Sequence, residues 1–595
     1  MHWWPLIGAG ALAAVLRWFR IDAQSLWYDE GISAHQLTRS YPEILRAAGL
    51  DTHPPLYYWT LKAWGETFGS SELALRSLSA VWGVVAVIVV FVLARRLFGS
   101  LSATLAALLL AMAPLAVYYS QEVRMYAQVT ALALLATYGY ASRRFWLYAL
   151  AALATLYSQY LGVAVLLALN AHAVLFFRSL TRPAWVRWLV ANVVVALGFA
   201  PWLPAFIAQQ THALNTSPRT PLGLAADTAT AYGGGIAHGD LFLATGGALV
   251  LLACLGFMLS RDRFAATLAL LLWLAPLVLV LALGVRSGLF EIRYLVLSLP
   301  GLAMLVALGV LHVGRRPLTA AAGVGLLMLP AVLALQLQYF EPTLARDDYR
   351  AVVAAIEREA KPTDVVVLSA ANQSEIFGYY YHGSLPAIGL PVDRPIDAED
   401  TRRRLDALRA QYGRVWLVSW AMAEADPRGV INAWLAESGF QATHQWFGSV
   451  QLALVGFGPR EVVTHKVDAA LDNGIVLDAY RLGSRTLRPG ETLALTLVWR
   501  AAGGPTLDHW KVFTHLLDSG SAVVAQRDAE PADNLRPTTG WSKGEQVEDN
   551  YGIAIPANLP AGNYTLEIGM YAGDRRSSFD NQADHLVLGE VQIQP

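Results

Sequence analysis

Two adjacent carboxylates set among aromatics, in Trp27-Tyr28-Asp29-Glu30, are the first residues whose types could do chemistry. One could take a proton from an attacking hydroxyl while its neighbour orients it or meets a metal; equally, Asp29 or Glu30 could cap the helix that follows. A second cluster is Asp51-Thr52-His53-Pro54-Pro55-Leu56-Tyr57-Tyr58, in which two prolines fix the backbone before a helix and hold His53 at its N-terminal end. A third is Tyr118-Tyr119-Ser120-Gln121-Glu122-Val123-Arg124-Met125-Tyr126, and a fourth is Arg286-Ser287-Gly288-Leu289-Phe290-Glu291-Ile292-Arg293-Tyr294. Arg124 and Arg293 suit an anionic phosphate, because a guanidinium binds it bidentately and never loses its charge. The plain alternatives are an ion pair within the third cluster and a snorkelling arginine in the fourth. No G-x-x-x-x-G-K-[ST], His-Glu-x-x-His or G-x-S-x-G pattern occurs, so nucleotide hydrolysis, zincin and α/β-hydrolase chemistry lack support.

The elements that must position these residues follow from composition. The 595-residue chain is 55% hydrophobic and 15% charged, against about 25% charged in an ordinary soluble domain. Long apolar runs stop after Leu337. Residues 1–337 hold 21 basic and 12 acidic groups, a net of +9, and the rest hold 23 and 33, a net of −10. The overall balance of −1 argues against a nucleic-acid partner. A single cysteine, Cys254, excludes an internal disulfide or a multi-cysteine metal site, and its apolar run predicts a small buried hydrophobe.

A bilayer core of about 30 Å needs about 20 apolar residues per helix. The runs predict eleven spans, near 4–20, 74–94, 101–118, 125–141, 145–157, 161–177, 187–207, 241–259, 264–285, 294–312 and 318–337. Arg95/Arg96, Arg143/Arg144, Arg178/Arg182/Arg187, Arg261/Arg263 and Arg315/Arg316 then fall in alternate loops, which predicts a cytoplasmic N-terminus and an extracytoplasmic C-terminal half in a cell (inner or plasma) membrane. The first span has no small-residue cleavage site after it and reads as retained. Every acidic residue of the membrane half except Asp262 lies on the outer side in this arrangement, so a polar site should face outward. Two outer loops are long. That over about 21–73 carries Ile44, Leu45, Leu56, Tyr57, Trp59, Leu61 and Trp64 at helical spacing and predicts interfacial helices. That over about 208–240 is rich in Thr, Pro and Gly, ends in Gly233-Gly234-Gly235 and predicts a mobile loop.

Past Leu337, Tyr349–Ala360 and Ala398–Tyr412 read as helices, and DVVVLS (Asp364–Ser369) and RVWLVS (Arg414–Ser419) as strands, which predicts an α/β domain over 338–460. From 461 to 595, short alternating runs divided by turns at Pro489-Gly490 and Pro560-Ala561-Gly562 predict a β-sandwich. Its Trp499, Trp510 and Trp541 are either core or a carbohydrate-binding surface.

The order of Asp29-Glu30, His53-Pro54-Pro55-Leu56-Tyr57-Tyr58, Arg76 and Tyr119-Ser120-Gln121-Glu122-Val123-Arg124-Met125-Tyr126 resembles the GT-C glycosyltransferases. Within these it looks most like the bacterial family 39 group, related to protein O-mannosyltransferases and to the aminoarabinose transferases acting on lipid A. The resemblance covers the membrane half and implies a polytopic α-helical enzyme. Such an enzyme moves a hexosyl or pentosyl group, with inversion, from a polyprenyl-phosphate carrier to a lipid, glycan or protein acceptor of the cell envelope. By that likeness Asp29 is the general base and Glu30 its acidic neighbour. Glu122, Arg124 and Arg293 line the donor phosphate site, and His53 lies near the sugar or a cation. Tyr57, Tyr119, Gln121, Tyr126 and Tyr294 complete the binding residues. The first loop lacks the Asp-x-Asp of several metal-dependent branches; no metal ligand or cofactor is assigned, and a divalent cation stays open. The alternative is a non-enzymatic transporter or binding protein for lipid-linked sugars, against which stand the absence of paired, interrupted spans in matching halves and of charges deep within the spans.

Overall fold

The computed structural model describes residues 3–179, 181–209, 219–314, 317–393, 395–458, 462–580 and 582–595. It divides into two compact units, Met1–Arg346 and Asp347–Pro595. The boundary thus falls nine residues beyond the end of the last apolar run.

The first unit is all-helical. α1 (Trp4–Trp18) leads into three short helices, α2 (Tyr28–His35), α3 (Tyr41–Leu50) and α4 (Leu56–Phe68), which occupy the first long loop. Then follow α5 (Glu72–Phe98), α6 (Ser100–Met112), α7 (Pro114–Tyr118), α8 (Tyr126–Ala141), α9 (Phe145–Ser158), α10 (Val163–Leu175), α11 (Arg182–Phe199) and α12 (Leu203–Gln209). The unit ends with α13 (Pro221–Gly234), α14 (Asp240–Leu259), α15 (Arg263–Ser287), α16 (Leu299–Val313) and α17 (Pro317–Phe340). Each of the eleven expected stretches is helical, and among the described residues six helices are long and apolar enough to cross a membrane. Four further apolar helices, including α1 and α6, are shorter. Cys254 is exposed on α14, not buried, because an apolar helix in lipid has an outward face that is as apolar as its inward one.

The loop expected over 208–240 contains α13, capped by Thr220 accepting from the Gly223 N–H; residues 210–218 of that expectation lie outside the described residues. Its glycines serve close helix packing. A Cβ on Gly246 of α14 would stand 1.7 Å from the Ala229 carbonyl, and one on Gly233 would stand 2.1 Å from the Phe242 carbonyl. Small residues let two helix backbones approach where apolar burial alone gives no preference between helix and lipid.

The second unit opens with α18 (Tyr349–Glu359), β1 (Asp364–Leu368), α19 (Ser374–Tyr380), β2 (Ala387–Gly389), α20 (Ala398–Gln411), β3 (Arg414–Ser419), α21 (Met422–Ala425), α22 (Val430–Ser438), β4 (Phe440–Phe447) and β5 (Val450–Gly456). These strands form one mixed sheet in the order β2-β1-β3-β5-β4, parallel across β2, β1 and β3. β1 and β3 are buried along their whole length, as continuous apolar strands covered on both faces require. After them come β6 (Thr464–Ala470), β7 (Ile475–Leu482), β8 (Thr486–Leu487), β9 (Thr492–Ala501), β10 (Lys511–Leu517), β11 (Val523–Ala529), β12 (Gln546–Ala554), β13 (Gly562–Ala572), β14 (Arg575–Arg576) and β15 (Leu586–Ile593). They make a four-stranded sheet, β12-β9-β7-β6, and a six-stranded sheet that includes β11-β10-β13-β15-β8. Both contribute to one apolar core. Trp499, Trp510 and Trp541 are all buried in that core, so none of them offers a ring to a carbohydrate.

Candidate functional site

Asp29 and Glu30 open α2, and the helix turn sends their side chains in different directions. Glu30 is fully buried. Its Oε1 accepts from Arg76 Nε (2.8 Å) and the Val123 N–H (2.8 Å); its Oε2 accepts from Arg76 Nη2 (2.6 Å) and from the Trp27 N–H (3.3 Å), closing a capping box. Burial pushes the Glu30 carboxyl up, but Arg76 outweighs it and holds it below the usual carboxylate range. Arg76, on α5, also donates to the carbonyls of Ile21, Gln24 and Ser25. Glu30 and Arg76 together fasten the first loop to α5.

Asp29 is turned the other way, with 19% of its side chain exposed. Its Oδ2 lies 2.8 Å from Arg293 Nη1 and 3.8 Å from Arg124 Nη2. Arg124 Nη1 donates to the Asp29 carbonyl (3.3 Å), and Nη2 lies 3.3 Å from His53 Nε2. A guanidinium only donates, so His53 accepts at Nε2 and carries its proton on Nδ1, toward Thr52 Oγ1 at 2.9 Å. Burial and Arg124 hold the imidazole below its ordinary value, that is, neutral. A cation at Nε2 would have to displace Arg124. Among the described residues no three His, Cys, Asp or Glu side chains gather as a metal site.

Glu122 and Arg346 extend the cluster. Glu122 is buried, its Oε1 3.4 Å from Arg346 Nη2, and Arg346 stacks over the Tyr118 ring at 4.4 Å. Burial pushes the Glu122 carboxyl up to about 7, against the opposing pull of Arg346. Four buried polar atoms in this neighbourhood have no hydrogen-bond partner: Arg124 Nε, Arg293 Nε, Arg346 Nε and Glu122 Oε2. Buried polar atoms are nearly always paired in a finished core, so a concentration of unpaired ones marks a place prepared for a ligand.

The remaining expected residues divide. Tyr119 and Tyr126 pack edge to face at 5.4 Å, Tyr126 faces Arg124, and the Tyr294 ring lies 5.9 Å from the Arg293 guanidinium, so all three border the cluster. Tyr57 is wholly buried, with its hydroxyl 3.4 Å from Ser79 Oγ, and presents no surface to a substrate. Gln121 donates to the carbonyls of Leu16, Arg17 and Phe19, which makes it a fastener for the end of α1.

Beside Arg293 a cavity of about 540 Å³ opens, lined among others by Arg219, Asp227, His238, Phe290 and Glu291. Glu291 Oε2 lies 3.7 Å from Arg293 Nη2, so the cavity adjoins the Asp29 cluster. The sequence did not single out these residues as a group, nor Arg346. Arg219 and Asp227 sit in the stretch that reads as a loop, and Arg346 sits beyond the last apolar run.

Residues 52–204 match a family model described as dolichyl-phosphate-mannose-protein mannosyltransferase. That match takes in His53, Arg76 and the Tyr119–Tyr126 cluster and leaves out Asp29 and Arg293. No curated protein matches the chain. Among solved structures, ArnT from Cupriavidus metallidurans in the apo state superposes with a TM-score of 0.50 at 14% identity, over 76% of this chain and 99% of that one. The same protein bound to undecaprenyl phosphate gives 0.49 at 16%, over 77% and 100%. The Archaeoglobus fulgidus oligosaccharyltransferase in complex with Zn and sulfate gives 0.47 at 10%, over 96% and 97%. The chain has the GT-C fold that its ordered motifs imply.

Proposed function

We propose that this GT-C-fold protein is a multi-pass membrane glycosyltransferase that moves a sugar, with inversion, from a polyprenyl-phosphate carrier to an extracytoplasmic acceptor. The observation that carries the reading is a partly exposed carboxylate, Asp29, held between Arg293 and Arg124 whose Nε atoms are buried and unpaired. The family description, which names a dolichyl-phosphate sugar as donor, supports the same class.

In this reading the donor phosphate docks on Arg124 and Arg293 and competes with Asp29 for them, leaving the carboxylate free. The acceptor hydroxyl attacks the anomeric carbon and the bond from that carbon to the phosphate oxygen breaks. The hydroxyl proton passes to Asp29, and the electron pair of the broken bond stays on the phosphate, where fixed guanidiniums stabilise the charge that develops. Attack from the face opposite the leaving phosphate inverts the configuration. Glu30, with both oxygens committed, acts by holding Asp29 in register, and the cavity beside Arg293 gives the acceptor or the transferred sugar room.

The test uses protein in lipid nanodiscs with radiolabelled polyprenyl-phosphate sugar. Release of free carrier by the wild type supports the reading, and binding without turnover supports a transporter. Asp29→Asn should lower transfer by about 10²–10⁴ with melting unchanged, and full activity of that variant removes Asp29 as base. Arg293→Ala should raise the donor KM more than the acceptor KM.

A further inference from the structure

The second unit holds a cleft that neither the transferase reading nor the buried tryptophans account for. It measures about 140 Å³ and is walled by one side of α22, one face of β4 and β5, and the loop after β11. Three half-buried carboxamides line it, Asn432, Gln441 and Gln451, and among the described residues none of these side chains has a hydrogen-bond partner. Asn534 lines it too, with its Oδ1 taken by the Glu530 N–H. A half-buried carboxamide without a partner has given up part of its hydration and keeps both a donor and an acceptor to offer.

The charged groups at the cleft are already spent. Arg527 bridges Asp533 and His444 Nδ1, and among the described residues that line the cleft there is no Lys or Arg to hold a phosphate or a nucleic acid. The wall is held firmly. Ala532, Asp533 and Asn534 all have left-handed backbone (φ of 51°, 54° and 70°), and the Ala532 N–H donates to the buried Asp549 Oδ1 at 2.8 Å. Three consecutive non-glycine residues in that region persist only where their surroundings impose it.

Across the strand pair from Gln451 stands Trp446. It is 62% exposed, and the two are directly opposed in the antiparallel register of β4 and β5. Directly opposed residues share a face, with Cβ atoms about 5 Å apart. His444, two residues earlier on β4, shares that face and lines the cleft. A large flat ring is thus left in water next to uncommitted carboxamides.

We propose that this cleft binds a neutral carbohydrate. A carboxamide carries a donor and an acceptor side by side and pairs with two neighbouring hydroxyls. The exposed indole face takes the apolar C–H face of a pyranose ring. A peptide would satisfy carboxamides as well, but it has no flat C–H face for Trp446, and the carbohydrate accounts for both features. The proposal stands apart from the transferase reading and does not need it.

The test is saturation-transfer NMR on the full chain in lipid nanodiscs prepared without glycoside detergent. The probes are maltoheptaose, cellohexaose and mannohexaose, with a polygalacturonate oligomer and tetra-alanine as comparisons. At least one neutral oligosaccharide should bind at millimolar concentration. Trp446→Ala and Gln451→Ala should each weaken it tenfold or more without shifting the melting temperature. Trp446→Phe should retain part of the binding. Trp146→Ala, at an exposed tryptophan of the first unit, should bind as the wild type does. No binding of any neutral oligosaccharide, binding indifferent to Trp446→Ala and Gln451→Ala, or preferential binding of tetra-alanine would each overturn the proposal.

Discussion

Asp29 and Glu30 are neighbours in sequence and do unlike work, because one side chain faces two guanidiniums at a partly open site and the other closes a buried ion pair. Glu122 is a third kind of carboxylate, pushed up by burial to about 7. The charged groups facing it are Arg346, Glu30, Arg293 and Asp29, so its proton is governed by both the first loop and the helix ends around it. If Glu122 adjoins the donor phosphate, its ionised form repels that phosphate and its neutral form does not. A carboxyl is neutral below its pKa, so the donor KM should rise several-fold as pH climbs from 6 to 8, and Glu122→Gln should flatten that dependence. The stability linkage has the same direction: a folded-state value raised above the unfolded one adds stability at acid pH that is lost as pH passes 7. An unchanged pH profile in Glu122→Gln would take Glu122 out of the donor site.

At the scale of elements, the helices were legible because a run of apolar residues long enough to span lipid has few other uses, and Pro, Gly and paired arginines mark the ends of such runs. The site was legible only as separate clusters. Asp29 and Arg293 are 264 positions apart, and only the fold brings them within 2.8 Å. Gly233-Gly234-Gly235 misled because glycine serves both a free loop and a close helix crossing, and the choice depends on a facing helix that local sequence does not show. The Glu30–Arg76 pair is the tie between α2 and α5, and it separates scaffold from chemistry. Glu30→Gln leaves a buried guanidinium without its counter-charge, which costs about 3–5 kcal/mol. Thermal unfolding in nanodiscs should therefore show a lower melting temperature for Glu30→Gln and for Arg76→Ala and none of that shift for Asp29→Asn. A Glu30→Gln protein that melts like wild type and is inactive would place Glu30 in the chemistry instead.

At the scale of the molecule, the near-neutral total hides a cationic first half and an acidic second half. Arginines at Arg95/Arg96, Arg143/Arg144 and Arg261/Arg263 recur at alternate helix ends, and the ends between them carry Asp29, Asp51, Glu122 and Glu291. Positive charge is retained on the cytoplasmic side during insertion, and on that rule we propose that the arginine-bearing ends face inside and the carboxylate cluster outside. A lipid-linked sugar whose head is presented at the outer face would meet that cluster without crossing the hydrocarbon. The single cysteine makes this testable, since Cys254→Ala gives a background free of thiols. In intact cells a membrane-impermeant maleimide should label Thr52→Cys and Ser521→Cys directly, and Ser142→Cys only after permeabilisation. Labelling of Ser142→Cys in intact cells, with Thr52→Cys protected, would invert the orientation and move the Asp29 cluster to the cytoplasmic side.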